Sequence, residues 1–262
     1  MTLIDTHTHL YLPEFDSDLP QAISRATNQG VKYMLLPNID LGSVEPMLKV
    51  CRQFPDTCFP MIGMHPTSVK NDYIAELEAV LNHFEPGKFI AIGEIGIDLY
   101  WDKTHIAEQV EAFRFQLDFA LQSDLPVVIH CRDSFQPIMD VLKDYKSKPL
   151  TGVFHAFSGP KEQADMIIKL GFKLGIGGVL TYKNAKLKDV LAHIPLEHIV
   201  LETDSPYLTP VPKRGERNES AYVSFVCQKL AEVKGIAMEE VAKITTNNAI
   251  TLFKLKTAYN GK

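Results

Sequence analysis

The sequence predicts one α/β domain over residues 1–262, a (β/α)₈ barrel of the TIM type with an additional C-terminal helix. Three observations point there. The chain has 262 residues, about the size that an eight-fold α/β barrel uses as a single unit. Eight short apolar or β-branched runs recur along it, with helical patterns between them. Residues near the C-terminal ends of those runs lie about 28 apart on average, the length of a βα unit. An open, doubly wound sheet is the competing fold, but no G-x-G-x-x-G or G-x-x-x-x-G-K-[ST] follows any run.

In chain order the runs are Leu3–Asp5, Val31–Leu36, Phe59–Met64, Phe89–Ile92, Pro126–Ile129, Gly152–Phe154, Phe172–Ile176 and Ile199–Leu201. Gly30 and Gly171 stand where a helix would end before the second and seventh strands. Between the fourth and fifth, Val110, Phe113, Leu117 and Leu121 share one face of a helix over Glu108–Leu121. Ala221–Val233 reads as the eighth helix. Met238–Leu255 reads as a further helix, expected on the barrel exterior.

Composition sets the class. Hydrophobic residues make up 45% and charged residues 23%, a globular balance that excludes disorder. The net charge of −5 argues against a protein that coats duplex DNA by charge alone. The four cysteines form no C-x-x-C pair, so they read as buried thiols of a cytosolic protein. The N-terminus has no signal-peptide pattern, and no apolar run nears the roughly 18–20 residues of a membrane span. The expectation is a soluble, cytoplasmic protein with neither membrane attachment nor an obligate protein partner.

The strand ends carry the chemistry. The first run leads into Asp5-Thr6-His7-Thr8-His9, which puts His7 and His9 on one face of an extended chain. Alone, such a pair is a solvated loop. Here Glu94, His130, His155 and Asp204 also follow strand runs. In a barrel all six converge on the C-terminal mouth. Buried ionisable groups need partners, and cations can supply them. His7, His9 and Asp204 would hold one divalent cation, and His130 and His155 a second. Glu94 would bridge the two cations, whether Mg²⁺, Mn²⁺ or Zn²⁺. A pair about 3.5–4 Å apart clamps attacking and leaving oxygens. Glu94 or Asp204 would orient the attacking water and take its proton.

Further residues are expected on the substrate side of this mouth. His65 closes the third strand and Arg132 lies two beyond His130; either could contact a phosphate. Asp98 would order a ligand or the substrate, or else cap the next helix. Glu202 shares a face with Asp204 and would support it. Arg217, with Lys213 and Arg214, forms a basic cluster that is either a solvated loop or a clamp for a polyanion. Tyr100 and Trp101 either stack on a base or pack over the rim. His83, His105, His193 and His198 fall in helices or at strand starts, away from the mouth.

With these pieces in order the sequence resembles the TatD-type metal-dependent deoxyribonucleases, over about residues 3–254. The resemblance rests on Asp5-Thr6-His7-Thr8-His9-Leu10, Gly63-Met64-His65-Pro66, Gly93-Glu94-Ile95-Gly96-Ile97-Asp98 and Ile129-His130-Cys131-Arg132. It continues through Phe154-His155-Ala156-Phe157-Ser158-Gly159, Leu201-Glu202-Thr203-Asp204-Ser205-Pro206-Tyr207-Leu208 and the loop from Lys213 to Glu219. It implies a metal pair at His7, His9, Glu94, His130, His155 and Asp204. It also implies DNA as the substrate, often cut 3′-to-5′ from single-strand ends. Ser220 departs from the proline frequent in relatives, in a surface loop.

Other readings remain. A hydrolase of another phosphoester, ester or amide could share the barrel, but many bridge their metals through a carboxylated lysine, and Lys88 lies at the wrong end of its strand. A His-x-His-x-Asp phosphoesterase would need Asp where Tyr11 stands. A non-catalytic, metal-stabilised interaction protein is the third.

Overall fold

The computed structural model describes residues 1–255; the end of the expected 1–262 domain lies outside them. Eight parallel strands run in sequence order: β1 (Leu3–Asp5), β2 (Val31–Leu36), β3 (Cys58–Pro60), β4 (Ile92–Asp98), β5 (Val127–Arg132), β6 (Gly152–Phe154), β7 (Lys173–Ile176) and β8 (Ile199–Leu201). The continuous ladders are β1-β2-β3 and β4 through β8. Single parallel bridges, Ile62 to Ile92 and Thr8 to Ser205, join the two into a closed ring.

Helices α1 (Leu19–Asn28), α2 (Leu41–Gln53), α3 (Tyr73–Leu81), α4 (Ile106–Ser123), α5 (Phe135–Leu142), α6 (Lys161–Lys169), α7 (Leu187–Ala192) and α8 (Val223–Lys234) alternate with the strands. Their starts follow local chemistry. In α2 the Asp40 side chain accepts from Ser43 N–H while the Ser43 hydroxyl accepts from Asp40 N–H, a reciprocal capping box. Gly30 and Gly171 hold φ of +87° and +88° at the turns into β2 and β7. Phe113, Leu117 and Ala120 bury the inner face of α4.

Three strands differ from expectation. The third strand is shorter than Phe59–Met64, because pairing beyond Pro60 survives only as the Ile62 bridge. The fourth and fifth run further: β4 starts at Ile92 and continues to Asp98, and β5 continues to Arg132, paired from Ile95–Ile129 to Asp98–Arg132. Glu94 and His130 therefore sit within strands rather than after them.

The last helix, α9 (Met238–Leu252), does more than add to the outer ring. Ala249, Leu252, Phe253 and Leu255 join a cluster with Ile4, Tyr33, Leu35, Met61, Ala91, Val128, Val153 and Val200, one or two residues from each of seven strands or the loops entering them. This is separate from the larger core between strands and helices. The C-terminal segment thus closes the floor of the barrel, opposite the mouth. Asn248 ties it there by donating to Leu196 O and Ile199 O, both at 2.7 Å. Among the described residues no helix is long and apolar enough to cross a membrane.

Candidate metal centre

The strand ends bring His7, His9, Glu94, His130, His155 and Asp204 into one cleft. All are buried except His130 and Asp204, which are partly exposed. Glu94 lies at the centre. Its Oε2 is 3.1 Å from His7 Nε2 and 3.9 Å from His9 Nε2. Its Oε1 is 2.7 Å from both His130 Nδ1 and His155 Nε2. Asp204 Oδ1 completes the first group, 3.6 Å from His7 Nε2 and 3.5 Å from His9 Nε2. The His7 and His155 rings stack at 4.0 Å and link the groups. Asp204 is held in the left-handed region at φ +57°, with its N–H on His7 O. Burial opposes ionisation of Glu94, but the surrounding His155, His65 and His7 hold its carboxyl well below its ordinary value.

Hydrogen bonds outside the cluster decide which ring nitrogens can be ligands. The Tyr11 hydroxyl spends its only proton on Pro37 O, 2.7 Å away. Its oxygen, 2.9 Å from His9 Nδ1, must therefore accept from that nitrogen. The Nε2 lone pair of neutral His9 then faces Asp204 and Glu94. His130 Nε2 lies 2.8 Å from Asp98 Oδ2 and donates to it, so in the neutral ring the Nδ1 lone pair would face Glu94. A bare lone pair 2.7 Å from a carboxylate oxygen is repulsive without a proton or a cation between them. The donor set fits divalent cations: neutral imidazoles held by outer partners, and carboxylates between them.

The same reasoning separates His65 from the ligands. Spacing alone groups it with Glu94 and His130, its Nε2 lying 3.4 Å from Glu94 Oε1. Thr67 N–H donates to His65 Nδ1 at 3.1 Å, so in the neutral ring Nε2 carries the proton. His65 is built as a hydrogen-bond donor into the cleft, a tautomer suited to a substrate oxygen rather than to a cation.

The remaining predicted residues divide. Arg132 lines the cleft, its guanidinium 3.8 Å from the Tyr100 ring centre. Asp98 is buried beside His130, its Oδ2 2.8 Å from His130 Nε2, and also lines the cleft. Glu202 supports His155 rather than Asp204: its Oε1 accepts from Ala156 N–H at 2.6 Å and lies 3.6 Å from His155 Nδ1. Gly175 makes the room, since a Cβ there would come within 2.2 Å of Glu202 Oε2. Arg217 lies apart from these residues. It is absent from the cleft lining, because Asp18 takes both of its terminal nitrogens, at 2.6 and 2.9 Å. Lys213 pairs with Glu216. Tyr11, which fixes His9, was not foreseen, although it lies two residues past His9 as His9 does past His7.

The cleft has a volume of about 670 Å³, and Trp101 and Tyr207 also line it. Residues 4–254 match the family profile described as TatD-related DNase. The metal-dependent hydrolase YabD of Bacillus subtilis, itself uncharacterised, is 37% identical over 254 residues, covering 97% of this chain and 99% of that protein. The 3′-5′ ssDNA/RNA exonuclease TatD of Edwardsiella piscicida is 30% identical, covering 97% and 100%. The crystal structure of YjjV, a TatD homologue from Escherichia coli, is 31% identical with a TM-score of 0.89, covering 97% and 98%. The chain belongs to the TatD-related DNase family of metal-dependent hydrolases.

Proposed function

We propose that this metal-dependent hydrolase cuts phosphodiester bonds at the ends of single-stranded DNA, in the 3′-to-5′ direction. The observation that carries the reading is Glu94, whose two oxygens face two different groups of imidazoles. One carboxylate so placed can serve two divalent cations, Mg²⁺, Mn²⁺ or Zn²⁺: His7, His9 and Asp204 would hold one, His130 and His155 the other. When bound, the pair supplies Lewis acidity to a phosphoryl oxygen and lowers the pKa of water. Asp204 would be the carboxylate to take a water's proton, its side chain 14% exposed against 3% for Glu94. His65 donates from Nε2 to a phosphate oxygen, and Arg132 offers a guanidinium at the rim. The exonuclease relative from Edwardsiella piscicida supports DNA as the substrate.

The test strips the protein with a chelator, restores Mg²⁺, Mn²⁺ or Zn²⁺ singly, and follows end-labelled single-stranded DNA. Cleavage from the 3′ end is expected with at least one metal. Glu94→Ala is expected to lose at least about 100-fold in kcat/KM, since outer partners of ligands alone are worth 10–100-fold. No cleavage with any metal would sink the nuclease reading, and wild-type turnover in Glu94→Ala would sink the bridging role.

A further inference from the structure

Tyr100 and Trp101 lie just past β4, after Leu99, and expose large rings, 54% and 69% accessible. Their rings meet at 88°, with centres 5.0 Å apart. Apolar side chains this open need a reason when they border a polar cleft. Trp101 lines the same cleft as His9, Glu94, His130 and Asp204. The Arg132 guanidinium lies 3.8 Å from the Tyr100 ring centre and 5.3 Å from that of Trp101. The two aromatics are not loosely placed. Asp98 Oδ1 accepts from the N–H groups of Tyr100 and Trp101 at 2.9 and 3.1 Å, while its Oδ2 holds His130. One buried carboxylate thus fixes both a ligand of the metal centre and the backbone of the aromatic pair.

We infer that Tyr100, Trp101 and Arg132 form a stacking shelf for one nucleobase of the strand end, beside the phosphate at the metal centre. The inference rests on the nuclease reading and deepens it. Every base has a π-face, so such a shelf grips DNA without selecting sequence. Arg132 holds the adjacent phosphate while its plane stays stacked on Tyr100. In this way an acidic chain grips a polyanion: it needs one base and one or two phosphates, not a basic stripe.

Trp101 is the single tryptophan of the chain, so its fluorescence reports the shelf directly. The metal-loaded protein is titrated with a phosphorothioate-linked deoxyadenosine pentamer, which resists hydrolysis, and with its abasic counterpart. Quenching by the adenine strand, with little from the abasic one, is expected. Trp101→Ala is expected to weaken pentamer binding, followed by anisotropy of a labelled strand, on the order of tenfold. It is also expected to lower the kcat/KM preference for an adenine-ended over an abasic-ended strand by a similar factor. Equal quenching by both strands, or an unchanged preference in Trp101→Ala while DNA is still cut, overturns the shelf and leaves the nuclease reading standing. Base-dependent quenching by a protein that cuts no strand with any metal supports the shelf and overturns the nuclease.

Discussion

At the residue scale, the metal centre depends on groups that never reach it. Tyr11 and Asp98 fix the rings of His9 and His130 from behind, and Glu202 lies behind His155, its Oε1 3.6 Å from Nδ1. Tyr11 gives the cleanest test, because among the described residues its hydroxyl meets only His9 Nδ1 and Pro37 O. Tyr11→Phe keeps the ring in its buried place but frees His9 Nδ1 from its acceptor. The His9 ring can then adopt the tautomer that turns N–H toward the cations. Metal affinity is expected to fall about 10- to 100-fold, with a stability loss of about 1–3 kcal/mol from the buried Pro37 carbonyl left unpaired. Activity measured against buffered free metal checks this; an unchanged half-saturation point would show that Tyr11 does not hold His9. The six candidate ligands were legible because each stands next to a strand run. Glu202 was read as a helper of Asp204 because only linear spacing was visible. Its real neighbour, His155, comes from two strands away.

At the element scale, the eight-fold beat of strands and helices was legible from apolar runs, whereas strand length was not. The apolar run ends at Ile92, yet the polar, glycine-rich segment Gly93-Glu94-Ile95-Gly96-Ile97-Asp98 makes up most of β4. At the mouth of a barrel a strand can carry ionisable side chains when the opposite strands supply partners. The floor was hidden for the converse reason. A helix that caps a barrel shows the same amphipathic pattern as one lying on its side. The difference lies in Phe253, which is 2% exposed just past α9 and shares a cluster with Tyr33, Met61 and Val128. Phe253→Ala should open a cavity on the barrel axis and cost about 3–5 kcal/mol. Urea unfolding would show a lower midpoint with unchanged slope, while kcat at low temperature should stay at the wild-type value. A loss below about 1 kcal/mol would mean that α9 lies on the floor without supporting it.

At the scale of the whole molecule, a barrel must join its first unit to its last, and here the seam is polar. Thr8 and Ser205 meet through their hydroxyls at 2.6 Å, and Asp5 Oδ2 accepts from the Thr203 hydroxyl at 2.7 Å. On the rim, Asp18 at the start of α1 takes Arg217 from the loop after β8, a contact across 199 positions. Arg25 joins it, bonding both Asp18 and Glu219. Of the basic cluster, Arg217 is paired with Asp18 and Lys213 with Glu216, within the fold. The pairing was invisible in the sequence, since nothing local links positions 18 and 217. Hydrogen bonds from Arg217 and Arg25 hold the Asp18 carboxyl below its ordinary value. A carboxyl depressed in the folded state stabilises fully above the unfolded value, about 4, and loses that contribution as pH falls through the folded value. Wild type should therefore exceed Asp18→Asn in stability at pH 7, by about 1 kcal/mol for a partly exposed network. The gap should stay flat down to about pH 4 and shrink below it. Urea midpoints for both proteins at pH 7, 5 and 3 measure this directly. A gap as large at pH 3 as at pH 7 would mean that the Asp18 charge does not stabilise the seam and that shape alone holds α1 against the loop after β8.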